Sequence, residues 1–173
     1  DGEAEARSAF LPSGHERLEQ ATLDLLRNAR ARVSHADGEI ATVQTCGDGQ
    51  APAVLGHGLD RVARVITRLN IGGPSIQAAR LASALGDHGY TTRLFHGQLG
   101  AGEGDMSYLL DGGADAVFVP TLGRPISPLN DLRALVRLYR ELHRYQPHIV
   151  HTHMAKAGLL GRLAATAYNL TRG

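Results

Sequence analysis

The sequence predicts an α/β fold over residues 61–173, a parallel sheet covered by helices on both faces. Two observations carry this. Strand-like apolar runs alternate with helix-period runs four times. Glycine, proline and capping residues punctuate the changes of period. A chain of 173 residues with 43% hydrophobic and 20% charged residues has material for one domain with a sizeable core.

The elements follow in order. Val62-Ala63-Arg64-Val65-Ile66-Thr67 reads as the first strand, followed by the loop Asn70-Ile71-Gly72-Gly73. Ala78, Leu81, Ala82 and Leu85 then fall at helical spacing, and Gly86 and Gly89 stop that helix. Thr91 to His96 is the second strand. A Gly-rich excursion through Gly97, Gly100, Gly102 and Gly104, with a short helix near Met106 to Leu110, leads to a third strand, Ala116 to Pro120. Ser127 caps the next helix, and Pro128 takes its first position, where a missing N–H costs nothing. His148 to Met154 is the fourth strand; Leu160, Leu163, Ala164 and Ala167 mark the last helix. A further strand is expected to follow it. The pattern is that of a Rossmann-like half, in which ligands bind beyond the carboxyl ends of the strands.

Residues 1–60 differ in character and read as an N-terminal extension. Ser13 and Glu16 resemble a capping box, and Leu18, Ala21, Leu25, Ala29 and Val33 form a narrow apolar stripe. From His35 to Asp60 the chain is rich in glycine, with no sustained period, and reads as a linker. No function attaches to this extension.

Composition excludes several classes. No apolar run reaches the roughly 18 residues needed for a bilayer-crossing helix. One cysteine, Cys46, excludes an internal disulfide framework and a Cys-based zinc module. A net charge of +1 gives no bulk attraction to nucleic acid, and no nucleic-acid partner is expected. The dinucleotide fingerprint, the P-loop and the G-x-S-x-G elbow are all missing from the sequence.

Three features can carry chemistry. The loop Asn70-Ile71-Gly72-Gly73-Pro74-Ser75 joins a strand to a helix N-terminus. Its glycines let backbone approach an anion, and the helix end supplies free N–H groups; the same glycines also suit a plain tight turn. His151 and His153 lie two apart on a strand and share a face, with Lys156, the one lysine among 18 basic residues, just beyond. They fit a polar ligand, a packed and solvated pair, or half a metal site; no carboxylate or cysteine close by in sequence completes a ligand set, and no metal is expected. Arg133, Arg137, Arg140 and Arg144 repeat at four, three and four, forming a basic stripe that suits anionic lipid headgroups or a solvated face offset by Asp131 and Glu141. No acid–base pair or nucleophile is assembled by spacing, so catalytic residues stay unassigned.

Two runs carry a family resemblance. Val65-Ile66-Thr67-Arg68-Leu69-Asn70-Ile71-Gly72-Gly73 resembles the opening strand and glycine loop of family 4 glycosyltransferases. His148-Ile149-Val150-His151-Thr152-His153-Met154-Ala155-Lys156-Ala157-Gly158-Leu159-Leu160-Gly161-Arg162 is similar to their fourth strand and following helix. The resemblance covers about residues 61–173. It implies the N-terminal, acceptor-side half of a GT-B fold, whose C-terminal lobe holds most of the donor and is missing from these residues. It implies retaining transfer from a nucleotide-sugar co-substrate, UDP-linked, to a glycan or lipid-linked acceptor, without a metal or other cofactor. Gly72, Gly73 and Ser75 would then face the donor diphosphate, and His151, His153 and Lys156 the acceptor. Pro74 departs from the small residue more usual after the glycines. The expected setting is the cytoplasm, at the inner face of the plasma membrane, in polysaccharide biosynthesis, with this segment inactive alone. The alternative is a non-catalytic Rossmann-like module that binds a phosphorylated small molecule.

Overall fold

A computed structural model of the chain describes residues 33–36, 39–45 and 60–172, with side chains described for residues 61–171. The strands are β1 (Val33–Ala36), β2 (Glu39–Thr45), β3 (Asp60–Ile66), β4 (Tyr90–Gln98), β5 (Ala116–Gly123) and β6 (Ile149–His153). The helices are α1 (Gly73–Asp87), α2 (Pro128–Tyr145) and α3 (Ala155–Arg172), with a 3-10 turn at Ser107–Leu110. One sheet takes the order β1-β2-β6-β3-β4-β5. Within it β6, β3, β4 and β5 run parallel. The chain therefore steps outward from β3 to β4 and β5, then returns to the other side of β3. The reversal makes the β3–β6 boundary the switch point of the sheet.

The period of two divides the sheet between its helices. Ala63, Val65, Phe95, Val119 and Val150 face α2 and α3, where Leu138, Leu142, Leu160, Ala164 and Tyr168 complete the main core. Val62, Ile66, Leu94 and Ile149 face the other way and meet Ala78 and Leu85 of α1. Helices thus lie on both faces, as the alternating sequence pattern predicts. Each of the four strands and the helices expected within residues 61–173 is present, and the structure extends several of them by a few residues.

The extension departs from expectation. Strands occupy Val33–Ala36 and Glu39–Thr45, where the sequence suggests the end of a helix and the start of a Gly-rich linker. The strands pair antiparallel, Ala36 opposite Glu39, and β2 joins the sheet beside β6. Ile40, Thr42, Val43 and Thr45 are β-branched and favour a pleated surface. Asp37-Gly38, between them, is the dipeptide preferred in two-residue hairpin connections. A reading by helical period and glycine content passes over both signals. The helix expected from Ser13 and the remainder of the linker, 46–59, lie outside the described residues.

Two glycines permit the closest approaches. A Cβ on Gly161 of α3 would fall 2.6 Å from Thr152 Cγ2, so the helix rests directly on β6. A Cβ on Gly97 would fall 1.6 Å from the Leu122 carbonyl oxygen, where the β4–β5 register shifts. The first obstacle is a side chain and the second is backbone, which cannot rotate away. Gly97→Ala is therefore expected to lower the melting temperature by more than about 5 °C, and Gly161→Ala by less; overpacking of this kind costs about 1–3 kcal/mol. Thermal unfolding by circular dichroism checks the order of the two.

Candidate functional site

All four parallel strands deliver their carboxyl ends to one rim, and the loops there are stapled to one another. After β3, Ile71 N–H donates to the Gly104 carbonyl (3.1 Å), and Met106 N–H to the Leu69 carbonyl (3.0 Å). The Arg68 guanidinium holds Glu103 at 2.7 and 2.8 Å. Glu103 also accepts from Gly100 N–H (2.8 Å), and Arg124 stands 3.7 Å away. That amide and then the Arg68 cation hold the Glu103 carboxyl below its usual range. The glycine loop thus sits on a rigid base formed by the loop after β4.

Gly72 caps α1 and Gly73 begins it. Gly73 is exposed, and a Cβ there would meet nothing within 4 Å. The first turn of a helix leaves N–H groups without intrahelical partners, and Pro74 contributes none. Gly73 thus leaves the start of α1 open at the rim, with the helix dipole behind it. Ser75 behaves differently: it is fully buried, and its hydroxyl donates to the Asn70 carbonyl (2.6 Å). Its side chain closes the loop, and the whole residue is shut off from the rim.

The second feature is split by the fold. His151 and His153 lie on one face of β6 with ring centroids 4.4 Å apart, as the strand period requires, but both are 2% exposed. The cation beside them is Arg64 of β3, whose Nη2 lies 2.9 Å from His153 Nε2. Burial first, and then the Arg64 charge, pushes the His151 pKa down to about 3. Burial, His151 and Arg64 drive His153 well below its ordinary value, so both rings are neutral at pH 7. Arg64 lies inside an apolar run and carries no periodic signal, and sequence reasoning passes over it. Among the described residues no group of three or more His, Cys, Asp or Glu is placed to hold a metal ion.

Lys156 stands apart from the histidines. Its ammonium lies 2.5 Å from Asp131 Oδ1 and also bonds the Pro125 carbonyl, tying the start of α3 to the start of α2. Asp131 Oδ2 in turn accepts from Ser127 N–H (3.2 Å); the Ser127 side chain itself makes no capping bond. Thr67 Oγ1 accepts from Ala157 N–H (3.1 Å), which satisfies one amide in the first turn of α3. Met154, between β6 and α3, takes φ 70, a left-handed conformation that costs a residue with a Cβ about 1–2 kcal/mol. Beside the Lys156 tether, Gln98, Thr121, Gly123, Ser127 and Asn130 line a cavity of about 270 Å³. Its neutral donors and acceptors suit a hydroxyl-rich ligand.

This arrangement matches a known family: the Glycosyl transferase 4-like domain covers residues 72–170, more than half of the chain. The chain belongs to the family 4 glycosyltransferases. The glycosyltransferase domain is also similar to the UDP-Gal:alpha-D-GlcNAc-diphosphoundecaprenol alpha-1,3-galactosyltransferase of Escherichia coli, 47% identical over 62 residues. That match covers 36% of this chain and 16% of the relative, so the chain spans only a small part of that protein's length. No solved structure matches the chain. The Rossmann-like sheet of this glycosyltransferase domain is the fold expected of a GT-B half.

The Glu103 staple gives a pH test with a defined sign. A carboxylate held below its ordinary value of 4.5 stabilises the fold at higher pH, and that stability is lost as pH falls through the lowered value. Glu103→Gln is expected to melt below the parent at pH 7, with the gap narrowing below about pH 4.5. Melting curves of both proteins from pH 7 to 3 check this; a constant gap contradicts it.

Proposed function

We propose that this domain is the acceptor-binding half of a retaining glycosyltransferase. It moves a sugar from a UDP-linked nucleotide-sugar to a glycan or lipid-linked acceptor, with no metal and no other cofactor. The observation that carries the reading is the start of α1, open at Gly73 on the carboxyl-end rim of the parallel sheet. A leaving diphosphate gathers negative charge, and preorganised amides at a helix N-terminus stabilise it as it forms. Gly72 and Gly73 occupy that place, and the buried Ser75 supports them through its bond to the Asn70 carbonyl. The cavity supplies neutral hydrogen-bonding groups for an acceptor hydroxyl face. Lys156 shapes this side through Asp131 and Pro125; His151 and His153 are buried on β6 and do not line the cavity.

In this reading the donor-holding lobe comes from further chain, and the 173 residues alone do not turn over. UDP-galactose and a lipid-linked N-acetylglucosamine acceptor are suitable probes, since the similar Escherichia coli protein is named for that chemistry. No product is expected from the isolated domain; product formed by it would refute the division of labour. In the intact enzyme, Gly73→Val places a branched side chain over the amides in open space. Melting is expected to stay within about 2 °C of the parent, while kcat/KM falls at least about tenfold, roughly 1.4 kcal/mol of transition-state binding. Unchanged kcat/KM refutes the cradle.

We also propose that the domain works against an anionic membrane surface in the cytoplasm. No described helix is long and apolar enough to cross a bilayer. On α2, Leu129, Leu132 and Val136 are exposed, and Arg133, Arg137, Arg140 and Arg144 are exposed beside them. At 100° per residue the two sets adjoin, so one helix face offers apolar and cationic contacts together. Arg137 and Arg144 share Glu141, whereas Arg133 and Arg140 have no ion-pair partner among the described residues. Arg140→Gln is expected to weaken sedimentation with anionic vesicles about fivefold, near 1 kcal/mol per cation. Equal partitioning onto neutral and anionic vesicles overturns the proposal.

A further inference from the structure

Among the described residues, the buried cation beneath the rim has no counter-charge. Arg64 is 0% exposed, and its Nε and Nη1 make no hydrogen bond among the described residues. His151, 2% exposed, leaves both Nδ1 and Nε2 without a partner. Arg64 is the register partner of His151, and Ile66 that of His153, so all three polar side chains stand on one face of two adjacent strands. An uncompensated charge in such a place costs several kcal/mol, and apolar residues of similar volume would be more stable. A group this costly, clustered at the switch point of a parallel sheet, points to a ligand that supplies the missing charge.

We propose that Arg64, His151 and His153 form an anion site that takes a phosphoryl group. The guanidinium brings the positive charge and two donor nitrogens, Nε and Nη1, without partners among the described residues. Each neutral imidazole adds one N–H, and a tetrahedral phosphoryl group offers several oxygens to receive them together. The net charge of the cluster is a single positive unit, which fits one phosphoryl of a diphosphate ester better than a dianion. The site is closed over in this structure. His153 ends β6 at the rim, so the anion enters from that end, next to Met154 and the start of α3.

The phosphoryl group has two sources, free phosphate or the diphosphate link of an acceptor. The second rests on the transferase reading; the first does not. The test uses the 173-residue chain at pH 7.5, with imidazole NMR signals and melting temperature followed against inorganic phosphate, at ionic strength matched with sodium chloride. Phosphate is expected to shift the His151 and His153 signals saturably and raise the melting temperature. Arg64→Met, which removes the buried charge at similar volume, is expected to melt no lower than the parent without phosphate and to bind it at least tenfold more weakly. His151→Phe keeps the guanidinium and is expected to bind at least threefold more weakly, which keeps the test open if Arg64→Met fails to fold. A short-chain prenyl-diphosphate sugar forms the second arm. If it displaces phosphate, the acceptor is the source; if phosphate binds and it does not, the site stands as one for free phosphate. The proposal falls if neither ligand moves the histidine signals, if chloride matches phosphate, or if the variants that fold bind as the parent does.

Discussion

The arrangement depends on β6 pairing in parallel beside β3. That pairing sets Arg64 against His151, and it brings the loops after β3, β4, β5 and β6 to one rim. It also fixes where α3 begins, because Thr67 at the end of β3 accepts the Ala157 amide. Close contact makes the pairing possible. Gly161 has no side chain, so α3 can lie on Thr152 at a distance that a Cβ would forbid. A small residue in a helix and a β-branched residue in a strand together set the depth at which the helix docks. The height of the α3 N-terminus above the sheet follows from that depth.

The rim combines a fixed frame with exposed backbone donors. Arg68, Glu103 and the Gly100 amide form a charged knot that is only slightly exposed, where screening by water is reduced. Ser75 turns inward to hold Asn70. The flexible elements of the glycine loop are thereby fixed from beneath and from the side, and Gly73 is left open above. Amides fixed in this way need no reorganisation when an anion arrives, which is the condition for electrostatic stabilisation of a leaving group. The same logic separates the two helix starts. The first turn of α1 remains available, whereas α3 has one of its amides taken by Thr67 and its lysine engaged by Asp131.

Much of this was legible in the residues. The alternation of periods gave the strands and helices from residue 61 onward, because buried parallel strands and amphipathic helices leave distinct patterns. His151 and His153 were placed on one face by the strand period alone. What stayed hidden depended on partners distant in sequence. Arg64 has the look of a tolerated charge in an apolar run, and only β6 reveals that its side chain is buried against two imidazoles. Glu103 sits in a Gly-rich excursion and gains its role from Arg68, which no spacing rule connects to it. The pairing of β1 and β2 escapes a reading by glycine content for a local reason: glycine counts there as a linker signal, although Asp37-Gly38 ahead of the β-branched run of β2 is a hairpin signal.

Lys156 shows how a residue can be conspicuous in composition and yet act at one remove. As the lone lysine it invites a direct role with substrate, but its ammonium is held by Asp131 and the Pro125 carbonyl. Asp131 also receives the Ser127 amide, so one carboxylate joins the first turn of α2, the loop from β5 and the first turn of α3. Ser127 and Pro125 are at once part of that junction and part of the cavity wall. The lysine therefore acts on the cavity wall through Pro125 and Asp131 rather than by lying in the cavity. An arginine, with its planar fork, cannot reproduce a point charge that serves a carboxylate and a backbone carbonyl together in so confined a junction. That difference gives a physical reason for one lysine in a chain whose other basic residues are all arginine.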